Sequence, residues 1–93
     1  MRVRLFTRSY RVFRGRQIEV GGRVSAPDGE GISGVRIEAR LVGEQEVPLG
    51  VTVTREAGGF AAAFGVPPTL PVGDYRLVVQ AMGDDEWASA VAP

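Results

Sequence analysis

An all-β fold, an antiparallel sandwich of about seven strands, is the architecture that this sequence predicts, and three observations carry the prediction. Apolar residues occupy every second position through most of residues 22–81, the period that gives a strand one buried and one solvated face. Gly, Pro and Asp interrupt that alternation where a sheet must reverse direction. A chain of 93 residues suffices for one two-layer core and not for two, so residues 1–93 are expected to form a single domain.

Residues 2–6 and 9–13 read as short strands, and residues 1–13 together form a basic N-terminal arm or an edge strand. Arg14 and Gly15 supply a turn into a long strand over 17–25, which carries Ile18, Val20, Gly22 and Val24 on one inward face. Pro27-Asp28-Gly29-Glu30-Gly31 has the composition of a turn. Gly34 then precedes a strand over 35–42, with Val35, Ile37, Ala39 and Leu41 inward and Arg36, Glu38 and Arg40 in water. Over 49–54 the same alternation points Leu49, Val51 and Val53 inward. Gly58-Gly59 turns the chain, and Phe60, Ala62 and Phe64 follow on the inner face of the next strand. Three prolines in 66–72 mark a crossing between sheets, because Pro has no N–H to give to a ladder. Strands over 74–81 and 87–91 complete the set, with Trp87 filling one end of the core.

The composition excludes most chemistry. Cysteine and histidine are absent, which removes disulfides, thiolate nucleophiles, the commonest general base and the commonest transition-metal ligand. The four serines have neither His nor Lys to activate them. No enzyme is expected. No apolar run approaches the roughly 20 residues that span a bilayer, and the N-terminus lacks the apolar stretch of a secretory signal. Membrane insertion is not expected, and a chain complete as it stands is not expected to be a Sec substrate.

Leu70-Pro71-Val72-Gly73-Asp74-Tyr75 opens a strand with Tyr after a Gly-containing turn, the pattern of the tyrosine corner in Greek-key sandwiches. Tyr75 is therefore read, with Trp87, as structural. The succession G-x-V, D-G-x-G-I-x-G-V-x-I, T-x-x-x-G-G-F and L-P-x-G-D-Y-x-L-x-V resembles bacterial Ig-like modules, above all the macroglobulin-type and carboxypeptidase-regulatory-like (prealbumin-like) sandwiches. The close from Gly83 to Ser89 is similar to the end of bacterial Ig-like repeats. The resemblance covers roughly residues 9–92. It implies an immunoglobulin-like Greek-key β-sandwich and a non-catalytic module, commonly a spacer or adhesive unit of a larger surface protein. Its motifs are turns and core positions, not a site.

Charge is distributed unevenly. Residues 1–23 hold seven arginines against one glutamate, a net +6, whereas residues 24–93 hold four arginines against ten acids, a net −6. In an up-and-down reading, loops 26–34, 55–58 and 82–86 share one end, gathering Asp28, Glu30, Glu56, Asp84, Asp85 and Glu86. Ca²⁺ takes six to eight hard oxygen ligands, so Asp28, Glu30, Asp84, Asp85 and Glu86 are a candidate calcium site, against the simpler account of solvated loops. Arg2, Arg4, Phe6, Arg8, Tyr10 and Arg11 are a candidate protein interface, basic and apolar, able to dock on an acidic surface such as the end of another copy. The competing account makes the arm the first strand of its own sandwich, its arginines guarding an edge. Nucleic acid is not an expected partner, because the remainder of the chain is acidic.

A non-enzymatic building block for protein–protein assembly or spacing is the resulting expectation. It would be extracellular or at the cell surface if cut from a longer protein, and a virion structural component if complete. The alternative is a carbohydrate- or calcium-binding sandwich module, the former using Phe6, Tyr10 and Phe13, the aromatics outside the core pattern.

Overall fold

The computed structural model describes residues 1–6, 15–70, 75–83 and 89–91. Among the described residues two antiparallel sheets hold seven strands. In the first, β1 (Arg2–Leu5), β2 (Gln17–Ser25) and β5 (Gly59–Gly65) lie in the order β1-β2-β5. In the second, β3 (Arg36–Val42), β4 (Glu46–Val53), β6 (Arg76–Ala81) and β7 (Ala90–Val91) lie in the order β4-β3-β6-β7. The all-β, two-sheet plan predicted from the alternation is the one observed.

The core forms where the inner faces of the two sheets meet. Ile18, Val20 and Val24 of β2, with Phe60 and Phe64 of β5, are buried in one layer; Ile37, Ala39 and Leu41 of β3, with Val79 and Ala81 of β6, are buried in the other. Gly22 takes the remaining inward place on β2, because a Cβ there would run into the Arg4 carbonyl and stand 2.7 Å from the Phe60 ring. The crossing after β5 adds Val66 and Leu70 to the core. Tyr75 is half-buried against it. Trp87 and the predicted strand over 9–13 lie outside the described residues.

One inward assignment is corrected. Val51 and Val53 point outward, 46% and 52% exposed. The cause is a bulge. Ala39 lies opposite Gly50 and Arg40 opposite Pro48, so Leu49 is an extra residue, and one extra residue reverses the parity of everything beyond it. Leu49 still packs on the core, and Gly50 and Thr52 take the inward parity. At Gly50 the absent side chain leaves space for Phe64, whose ring would stand 2.7 Å from a Cβ.

The chain leaves β4 through Thr54, which is buried. Its Oγ1 accepts the Val35 N–H at 2.9 Å and donates to the Ile32 carbonyl at 2.7 Å. Its own N–H donates to the Val35 carbonyl at 2.9 Å, and its carbonyl accepts the Gly34 N–H at 3.0 Å. Thr54 thus clamps the start of β3 to the end of β4. Loops 26–34 and 55–58 share that end of the sandwich with Met82, whose N–H donates to the Arg36 carbonyl at 2.9 Å. For loops 26–34 and 55–58 and for Met82 this is the grouping that the up-and-down reading expects; residues 84–86 of its third loop lie outside the described residues.

Candidate functional site

β1 alternates Arg, Val, Arg, Leu, with Val3 buried and Arg2 and Arg4 exposed. It pairs antiparallel with β2, Arg2 opposite Ser25 and Arg4 opposite Arg23. The ladder continues one step further, where the Phe6 N–H donates to the Gly21 carbonyl at 3.0 Å. Residues 2–5 are therefore the edge strand of their own sandwich, the structural alternative to a free arm. Arg8, Tyr10 and Arg11 lie outside the described residues.

On the outer face of this sheet, alternation leaves Gly59, Ala61, Ala63 and Gly65 on β5, with Glu19, Gly21 and Arg23 on β2. The β5 part of the face, with Gly21 beside it, is consequently low in side-chain relief. Phe6 stands above it, 72% exposed, with its Cδ2 only 3.6 Å from where a Gly21 Cβ would be. The ring thus covers a position without a side chain. Phe6, Glu19, Gly21, Ala61 and Ala63 line an open depression of about 540 Å³, with the Arg2 and Arg4 guanidinium groups projecting from the same face of β1.

At the loop end Arg23 does the fastening. Its Nε donates to the Ala57 carbonyl at 2.9 Å and its Nη2 to the Gly29 carbonyl at 3.0 Å, joining the turn after β2 to the short 3₁₀ turn Glu56–Gly58. A Cβ on Gly31 would collide with the Ala57 backbone, and Gly58 has φ +79 in the left-handed region, so both glycines are demanded by this junction. Asp28 Oδ1 accepts the Glu30 N–H at 2.9 Å, the Asx turn that its loop composition predicts.

Of the candidate calcium ligands, Asp28 and Glu30 share this exposed turn, and Asp84, Asp85 and Glu86 lie outside the described residues. Among the described residues no three carboxylates converge as a metal-binding group. Among the described residues the charge separation along the sequence does not become a separation of ends. Arg2, opposite Ser25, and Arg23 lie at the same end as Asp28, Glu30 and Glu56. Elsewhere Arg40 Nε meets Glu46 Oε1 at 2.9 Å, and its Nη1 donates to Gln80 at 3.0 Å.

Two features escape the residue-by-residue reading. Arg23 counts only as part of a basic segment until its partners are seen, and the bare outer face is the unread parity of Gly59-Phe60-Ala61-Ala62-Ala63-Phe64-Gly65. Comparison with family models, curated proteins and solved structures finds no match to the chain. Among the described residues no helix is long and apolar enough to cross a membrane.

Proposed function

We propose that this chain is a non-enzymatic, immunoglobulin-like assembly module that docks protein through the outer face of the β1-β2-β5 sheet. The observation that carries the reading is Phe6, exposed over Gly21 on a floor of small residues and flanked by Arg2 and Arg4. Aromatic residues and Arg are the types enriched at protein interfaces, and a large ring in a shallow depression is the usual form of an anchor. The guanidinium groups favour a partner that sets carboxylates around an apolar patch.

The immunoglobulin-like part is supported by strand order. With β1, β2, β3, β5, β6 and β7 lettered A, B, C, E, F and G, the sheets read A-B-E and C-F-G, with β4 added beside C, close to the constant-type arrangement with its fourth strand moved to the other sheet. A sequence without His, Cys or Lys supports the non-enzymatic part. Such a module suits a spacer or adhesive unit of a surface protein, or a virion component.

The test is site-specific photo-crosslinking in the source cell, with a photoreactive phenylalanine analogue in place of Phe6 and, as control, in place of Arg36 on the outer face of the other sheet. Discrete protein adducts from the first position and none from the second are expected. Equal labelling from both, or none from either, would overturn the reading. A second reading, carbohydrate binding, draws on Phe6 and Glu19 lining one depression; retardation in polysaccharide gels that is lost in Phe6→Ala would favour it.

A further inference from the structure

The opposite edge of the same sheet carries a second surface. Among the described residues β5 is bordered by β2 on one side only. The Val66 N–H donates to the Arg16 carbonyl at 2.7 Å, one step beyond the β2–β5 ladder, so the even-numbered residues of β5 direct their backbone groups to β2. The Gly59 carbonyl accepts the Arg55 N–H at 2.7 Å on the other side, in keeping with that parity. Ala61, Ala63 and Gly65 therefore aim their N–H and C=O groups at the open edge, while the Gly59 carbonyl on that side is taken by Arg55. Among the described residues no strand borders them there.

Edge strands ordinarily carry charge, Pro or a bulge that discourages pairing. β1 has Arg2 and Arg4, and β4 has Glu46, Pro48 and its bulge. β5 has none of these. Its sequence, Gly59-Phe60-Ala61-Ala62-Ala63-Phe64-Gly65, is also a palindrome. An antiparallel pair formed by two copies about a two-fold axis at Ala62 sets every residue opposite its own kind: Gly on Gly, Phe on Phe, Ala on Ala. The edge-directed parity fits that register, because Ala61 falls opposite Ala63 of the other copy and the two exchange both of their hydrogen bonds. A Cβ on Gly59 or Gly65 would meet nothing within 4 Å, so the outer face is clear at both ends of the strand, and the pairing centres on Ala61 and Ala63 because the Gly59 carbonyl is bonded to Arg55.

We propose that β5 pairs with β5 of a second copy in this register, joining two three-stranded sheets into one continuous sheet through an isologous contact. The contact goes beyond the docking of protein on the β1 face; it uses the edge of β5 where that surface uses the face, the two meet at Ala61 and Ala63, and its test reads the mass of the chain alone with no docking partner present. A pair of short strands covers less than the roughly 800 Å² per partner of a stable complex, so the association is weak and is read at high concentration.

Solution mass by light scattering tests it, in the full chain, at low salt and at about 0.5 M, where the Debye length is roughly 4 Å. The mass is expected to rise above 9.9 kDa with concentration, toward twice that value, and to be insensitive to salt because the seam carries no charge. Ala61 and Ala63 are exposed, so charged side chains there leave the fold intact. The double variant Ala61→Lys with Ala63→Lys sets like charges opposite each other across the seam and is expected to stay monomeric. The variant Ala61→Glu with Ala63→Lys sets opposite charges there and is expected to recover the dimer. A wild-type chain that is monomeric at about 1 mM, a doubly lysine-substituted chain that keeps the wild-type mass, or a complementary variant that fails to recover it would overturn the proposal.

Discussion

Replacing Thr54 by valine keeps the shape of a buried side chain and removes a hydroxyl that the fold uses twice. The Val35 N–H loses its acceptor in a buried setting, and the Ile32 carbonyl loses a donor at a half-buried one. An orphaned buried N–H costs about 1–3 kcal/mol, while the carbonyl can turn to water and the added methyl returns part of the loss. The net effect is a destabilisation of about 2 kcal/mol, which for a domain of this size lowers Tm by roughly 10 °C. Thr54→Ser keeps both bonds and gives up one buried methyl, about 1 kcal/mol. The two variants therefore rank oppositely under polar clamping and under simple apolar burial. Urea denaturation of wild type, Thr54→Val and Thr54→Ser decides between them. A valine variant as stable as the serine variant would refute the clamp.

The bulge at Leu49 makes its own forecast. Val51→Thr and Val53→Thr should each change stability by less than about 0.5 kcal/mol, whereas Leu41→Ala, deep in the core, should cost about 2–5 kcal/mol; chemical denaturation of the three reads the parity of β4 directly. Gly50→Ala drives a methyl into the Phe64 ring and should cost about 1–3 kcal/mol by overpacking, with the Phe64 ring resonances shifting in the NMR spectrum. A neutral Gly50→Ala would mean that the sheets do not meet at that point.

Strand positions were legible because alternation is a local property: Ile18, Val20, Val24, Ile37, Ala39, Leu41, Phe60 and Phe64 are inward as their spacing requires. The parity of Val51 and Val53 was not legible, since the extra residue at Leu49 follows from the pairing of β3 with β4 rather than from the residues of β4 alone. The turn at Asp28 could be read from its composition. The fastening of that turn by Arg23 could not, because it joins positions 34 residues apart. The site was half visible: Phe6, Arg2 and Arg4 stand out as a basic and apolar segment, but the small-residue floor beneath Phe6 appears only when β5 is placed on the far side of β2. Nor does the sequence place Arg2 and Arg23 at the same end as Asp28, Glu30 and Glu56.

Docking through Phe6 and the two arginines requires that they be held on a paired strand and not on a loose arm. Amide hydrogen exchange by NMR, residue by residue over 2–6, measures that pairing. With the Phe6 N–H bonded to the Gly21 carbonyl, the Arg4 and Phe6 amides face β2 while that of the half-buried Leu5 points away from it. Slow exchange at Arg4 and Phe6 on either side of faster exchange at Leu5 is the predicted pattern. Uniformly fast exchange from Arg2 to Phe6 would contradict it, and with it the fixed platform on which the proposed interface is built.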